Sequence, residues 1–375
     1  MTNRERMLAI LEGKPPDRIP WVPRLQLWYN ARQSEGNMPE RYRGLSLREI
    51  ERRLGMGTPA RAGKVFNIRL VGVEKHETVK GGEVCTEYRT PIGCVTEVRT
   101  RSDPLAPYVE SGLLLECPIK RAEDYPVMEY VVEHTYYEPA YEAYLAYERE
   151  VGEDGYPQVG VGDCPFHHFL LNLVGYNSAY FHLVDYLPQV EHLLSVMEGG
   201  EMERLWPVVL ESPARLLRHG QHFDSQMTPP HLFARYIKPY YQKISPALHA
   251  RGKVLAYHAD DDSQAILSLI KESGFDMADC LATAPMVTLT LQEARRAWGS
   301  NVIVYGGVPS VLLEKSAISD EEFESYMANV FRTVAPGDAF ILGVSDNVMP
   351  RSQIERVELV SRLVEEWGRY PVSVP

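Results

Sequence analysis

A chain of 375 residues with a formal net charge of −12 is long enough for one large α/β domain, or two ordinary ones, with a sizeable buried core. Its Lys and Arg are scattered, which excludes the electrostatic footprint of a nucleic-acid or anionic-membrane binder. The five cysteines, Cys85, Cys94, Cys117, Cys164 and Cys280, show no C-x-x-C spacing and predict free thiols in a reducing cytoplasm rather than a disulfide framework. In chain order, MTNRERMLAILEGKPPDRIP reads first, as a short amphipathic helix ended by Gly13 and Pro15, with no signal-peptide pattern. No apolar stretch approaches the roughly 20 residues that span a bilayer.

Buried strands are expected at IPWVPRLQLW (19–28), QVGVGD (158–163), VLAYH (254–258), MADCLA (277–282), NVIVYGG (301–307) and AFILGV (339–344). RLLRHG, before GQHFD (220–224), reads as a further strand or as a helix end. Helical patterns separate these runs, which argues for a parallel sheet. VEKHETVKGGEVCTEYRTPIGCVTEVRT (73–100) alternates apolar and polar residues around Gly81-Gly82; it predicts an antiparallel hairpin inserted at about 70–100. No linker divides the chain, so the expectation is a single α/β domain over 1–375, a closed (β/α)8 TIM barrel with an inserted β-hairpin. Neither a G-x-G-x-x-G nor a P-loop pattern is present.

Chemistry in such a barrel gathers at strand ends. These carry Arg24 and Trp28, then Asp163, Cys164 and His167, then His222 and Asp224, His258 and Asp260, and Asp346. His222/Asp224 and His258/Asp260 share the spacing H-x-D, and in extended chain residues i and i+2 point to one side. Each pair could aim at one metal ion, with Asp346 as another oxygen donor; each histidine could equally be a hydrogen-bonded structural residue. Asp261 and Asp262 precede AILSLIKESG and are expected to start that helix. The run is no EF-hand loop, since Ala265 stands at its glycine position and Lys271 at its twelfth. Cys164 and His167 are expected as pocket wall with a polar contact, and Trp21, Trp28 and Tyr29 either line an aromatic pocket or pack.

The opening MTNRERMLAILEGKPPDRIPWVP, the middle GQHFDSQMTPPHLFARYIKPYYQKISPALHARGKVLAYHADDD and the close YGGVPS with GVSDNVMP resemble the uroporphyrinogen decarboxylase superfamily over nearly the whole chain. The resemblance implies a (β/α)8 barrel, in a superfamily holding both decarboxylases and corrinoid-dependent methyltransferases. The decarboxylases' arginine motif, R-Q-A-G-R-Y-L-P-E-Y-R, is matched here by Ala31-R-Q-S-E-G-N-M-P-E-R-Y-Arg43: Arg32 fits the first arginine, but the second falls beside Asn37, and Glu35 adds a negative charge. That is poor complementarity for a substrate with eight carboxylates.

The methyltransferase branch has a His-x-Cys zinc site with a later Cys. His258, Asp260 and Asp346 correspond, and carboxylate in place of sulfur makes the site harder. LQLWYNARQSEGNMPERYRGLSLREI resembles the subgroup that demethylates methoxylated aromatics. The implied activity is zinc-dependent O-demethylation of a small aromatic methyl ether, with transfer to Co(I) of a separate corrinoid (cobalamin) protein. The alternatives are another methyl donor or acceptor, or a decarboxylase-like lyase. His258 and Asp260 are the implied catalytic residues, and His222, Asp224, His258, Asp260 and Asp346 the implied ligands. Arg24, Trp28, Cys164 and His167 are the expected substrate contacts. The base-off signature D-x-H-x-x-G is not met by Ala247-L-H-A-R-Gly252, so the corrinoid is expected on the partner. A homodimer is admitted; a cytoplasmic location is expected.

Overall fold

A computed structural model describes residues 1–100 and 112–374. The chain falls into two compact units, one of residues 64–144 and 162–213, the other of residues 1–63, 145–161 and 214–375. All five cysteines are free thiols. Among the described residues no helix is long and apolar enough to cross a membrane.

The first of these units carries the expected hairpin, built into a larger sheet. Strands β1 (Phe66–Leu70), β2 (Glu74–Lys80), β3 (Glu83–Thr90), β4 (Gly93–Thr100), β5 (Leu114–Glu116) and β6 (Thr135–Pro139) form a β2-β3-β4-β5 sheet and a β1-β6 pair. Both are antiparallel. Lys80 faces Glu83 across the Gly81-Gly82 turn, where φ is 60° and 87°. Two successive left-handed residues match the twist of paired strands, and only glycine adopts them freely.

The other unit holds the parallel sheet: β7 (Gln158–Gly162), β8 (Leu216–Gln221), β9 (Val254–His258), β10 (Met277–Leu281), β11 (Ile303–Pro309) and β12 (Phe340–Ser345), in the order β12-β11-β10-β9-β8-β7. Every residue of β9 to β12 is buried, as expected for parallel strands covered on both faces. RLLRHG is thus strand, not helix end. Two further segments flank the sheet in parallel, Trp21 beside Leu342 and Gly63 beside Val159, and Gly57 N–H donates to Trp21 O at 2.8 Å. The architecture is the TIM-barrel-like α/β fold, with six regular strands and two positions held by bridges rather than by a ladder.

The stretch 19–28 is therefore not a strand. Pro20 and Pro23 remove ladder donors, and residues Gln26–Ser34 form a helix that contains Trp28. Val22, Leu216, Ala256, Met277, Ile303 and Ile341 form one interior cluster with Met7, Ile10 and Leu11 of the helix Asn3–Leu11. Alternation along a strand keeps residues two apart on one side. The interior therefore changes from apolar to charged in one step: Arg24, Arg218, His258 and Asp279 each follow a member of that cluster by two.

Candidate functional site

Two local irregularities shape the strand ends. The ladder shifts register between Arg218 and Gln221 in β8 and between Asp279 and Leu281 in β10. His222 and Cys280 sit there with φ of 54° and 60°, the left-handed region that side chains rarely adopt. Bulged strand ends re-aim side chains. His222 N–H donates to His258 O at 3.1 Å, and its Nδ1 lies 2.8 Å from Asp260 Oδ1 and 3.5 Å from Asp261 Oδ2.

His258 is the hub. Its Nε2 is 3.4 Å from Asp260 Oδ2 and 3.5 Å from Asp346 Oδ1, and its Nδ1 is 3.5 Å from Asp279 Oδ2. Burial opposes charge on His222, but hydrogen bonds with Asp260 and Asp261 prevail and lift it to about 9. Burial likewise opposes charge on His258, and Asp260, Asp279 and Cys280 overcome it, holding the ring well above the ordinary histidine range. For Asp260, burial would raise the carboxyl, yet His222 and His258 hold it far below its usual range. Opposite charges thus decide the protonation of this cluster, and desolvation does not.

Three sets of donor atoms converge within 4.8 Å: His258, Asp260 and Asp346; His222, Asp260 and Asp261; and His258, Asp279 and Cys280. The third is wholly buried, but a cation is already seated on it. Arg61 Nη2 lies 2.5 Å from Asp279 Oδ1 and 3.1 Å from Cys280 Sγ. Burial pushes the Cys280 thiol up despite Arg61, which leaves a poor thiolate ligand. The first two sets share Asp260 and offer imidazole nitrogen with carboxylate oxygen, a donor set suited to zinc or another borderline divalent ion. Arg24 pairs with Asp346 Oδ1, the same oxygen that faces His258 Nε2, so in the first set too one carboxylate already carries a guanidinium, and a metal there would take the other Asp346 oxygen or displace Arg24.

Of the residues singled out in the sequence, His222, His258, Asp260, Asp346 and Arg24 come together. Asp224 does not. Its Oδ1 accepts the N–H groups of Gln226 and Met227 at 2.7 and 2.9 Å, capping the next turn. The extended geometry assumed for His222-x-Asp224 fails because His222 is left-handed. Asp261 faces His222, whereas Asp262 does start the following turn, accepting Gln264 N–H at 3.1 Å. Trp28 is 2% exposed and packs edge-on against Tyr42. Cys164 and His167 are fully buried in the other compact unit; Cys164 precedes the helix Pro165–His168, and His167 Nε2 is 3.0 Å from Tyr176 Oη. Asp279, Cys280, Arg61 and Arg218 were not anticipated. The one available signal was an ionisable residue inside the otherwise apolar MADCLA run.

The uroporphyrinogen decarboxylase (URO-D) family matches residues 220–367, the stretch from His222 to Asp346 and beyond. Among curated proteins none matches the chain. A solved structure of a methyltransferase from Methanosarcina mazei is similar over 98% of this chain and 99% of that one, with a TM-score of 0.55 and 16% sequence identity. At that identity the likeness establishes the fold.

Proposed function

We propose that this chain is a metal-dependent methyltransferase that takes a methyl group from an O-methyl ether, an aryl methyl ether in particular, and delivers it to the corrinoid of a separate protein. The observation that carries this reading is the convergence of His258, Asp260 and Asp346 at the barrel's strand ends, joined by His222 through Asp260. The fold shared with a methyltransferase supports the reaction class, and the family match over the same residues is compatible with it. A divalent ion held by these side chains would supply Lewis acidity toward the ether oxygen as it leaves.

The chain's own part follows from its contacts. Asp279, fully buried, faces His258 Nδ1 and thereby leaves Nε2 turned toward Asp260 and Asp346; a carboxylate behind a histidine fixes tautomer and ring orientation. Arg24 fixes the Asp346 carboxylate. Decarboxylation of a multiply acidic tetrapyrrole would call for several free arginines, whereas Arg24 and Arg61 are committed to Asp346 and Asp279.

The test is metal analysis of the purified protein with a methyl-transfer assay, using a Co(I) corrinoid protein and a panel of methoxylated aromatics. Stoichiometric metal, lost in His258→Ala, together with transfer from at least one ether is expected. Absence of both metal and transfer refutes the reading; metal retained by His258→Ala refutes the ligand assignment.

A further inference from the structure

The charged interior layer holds three guanidinium groups, and they are not equivalent. Arg24 is paired with Asp346 and Arg61 with Asp279. Arg218 makes no hydrogen bond and no ion pair among the described residues, and only longer-range charges act on it. It lies on β8, two residues beyond Leu216 of the interior cluster and opposite Ala256. Alternation therefore turns it to the interior, within electrostatic reach of Asp279. Across on β7, Gly160 lies beside it: a Cβ there would stand 3.4 Å from Arg218 Nη2, in ordinary contact.

Three guanidinium groups meet two carboxylates, Asp279 and Asp346, while Asp260 and Asp261 face the histidines. Of the three, Arg218 is the guanidinium without a carboxylate partner among the described residues. Burial disfavours its charge, Asp279 supports it, and Arg61 and Arg24 oppose it. A guanidinium nevertheless stays protonated in proteins. An unpaired, half-buried cation is costly to keep, and its planar fork of donors matches a carboxylate.

We propose that Arg218 receives the carboxylate of the methyl donor, so that the substrate is a methyl ether that also carries an acid group, such as a methoxybenzoate. The inference rests on the methyl-ether reading above for the identity of the ligand, and on Arg218's own surroundings for its charge.

Binding calorimetry separates the two. Methoxybenzoates and their neutral methoxybenzamide counterparts would be titrated into the whole protein and its Arg218→Gln and Arg218→Lys variants. A charge-assisted pair is expected to favour the acid by roughly 10- to 100-fold. Arg218→Gln should abolish the preference and Arg218→Lys restore part of it, with both variants melting close to the parent, because Arg218 makes no hydrogen bond or ion pair among the described residues and its field at Asp279 is secondary to that of Arg61. Equal binding of acid and amide by the parent, or an unchanged preference in Arg218→Gln, overturns the proposal. Should Arg218→Gln fail to fold, the parent comparison and Arg218→Lys still decide. Methyl transfer is then assayed on the same pairs. Equal kcat/KM for acid and amide keeps the methyl-ether reading and overturns the role of Arg218. Acid-selective binding without transfer from any ether keeps Arg218 and overturns that reading.

Discussion

Replacing Arg61 by Met tests whether the network behind His258 is held as the distances imply. Asp279 is 0% exposed and takes Arg61 Nη2 at 2.5 Å. Removing one member of a buried pair leaves the other charge stranded, at a cost of about 3–5 kcal/mol. His258 Nδ1, 3.5 Å from the other oxygen of Asp279, provides partial relief, so the lower end, about 3 kcal/mol, is expected. A unit of this size loses roughly 2–4 °C of melting temperature per kcal/mol, so the midpoint should fall by roughly 6–12 °C in a thermal melt followed by circular dichroism. Asp279→Asn alone should also destabilise, by stranding Arg61. Arg61→Met with Asp279→Asn should recover part of the loss, since it removes both members of the buried pair. A midpoint for Arg61→Met within a degree or two of the parent, or a double variant no better than the single one, would refute the argument.

Two other outcomes follow from carboxylates outside the Arg61–Asp279 pair. Glu51 is 2% exposed, and burial lifts its carboxyl from 4.5 to about 7, with a hydrogen bond from Thr58 only partly offsetting it. Between these values the unfolded chain releases the proton and the folded chain keeps it, so stability falls as pH rises through this window; the full loss, about 3 kcal/mol, is present above it. Urea denaturation of Glu51→Gln at pH 5 and pH 8 should show that slope reduced, and an unchanged slope would exclude Glu51 as its source. Asp224→Asn and Asp260→Asn divide the two carboxylates: metal content should drop only in Asp260→Asn, while Asp224→Asn, which keeps an oxygen able to accept the Gln226 and Met227 N–H groups, should leave stability nearly unchanged. Loss of metal in Asp224→Asn would restore it to the ligand set.

The sheet was legible because parallel strands covered on both faces read as short continuous apolar runs, as VLAYH and AFILGV do. The stretch 19–28 misled because its apolar content suggests a strand, although Pro20 and Pro23 leave it few ladder donors. At the site, His258 and Asp260 were legible from spacing because β9 stays extended to its end. His222 and Asp224 were not, because the left-handed turn at His222 breaks the i, i+2 rule on which the pairing rested. Asp279 was hidden in a core strand. Arg61 was out of reach of any local pattern, since it meets Asp279 across 218 positions of chain. An ion pair so distant in sequence is set by barrel register, which only the fold supplies.

The two left-handed residues bear on what the strand ends are for. His222 and Cys280 each hold a backbone conformation that costs on the order of 1–3 kcal/mol for a residue with a side chain, and glycine would adopt either without penalty. The chain places an imidazole and a thiol there instead. At His222 the left-handed turn sends the backbone N–H to His258 O and the ring to Asp260, so the same conformation that separates it from Asp224 delivers it to the second histidine-aspartate pair. Asp260 then faces both rings, with Asp261 beside His222 and Asp346 beside His258. Packing alone gives no reason to assemble two imidazoles and three carboxylates at that expense of strain. On the proposed reading a cation would account for it, since His258, Asp260 and Asp346 form one set of donor atoms and His222, Asp260 and Asp261 a second that shares Asp260.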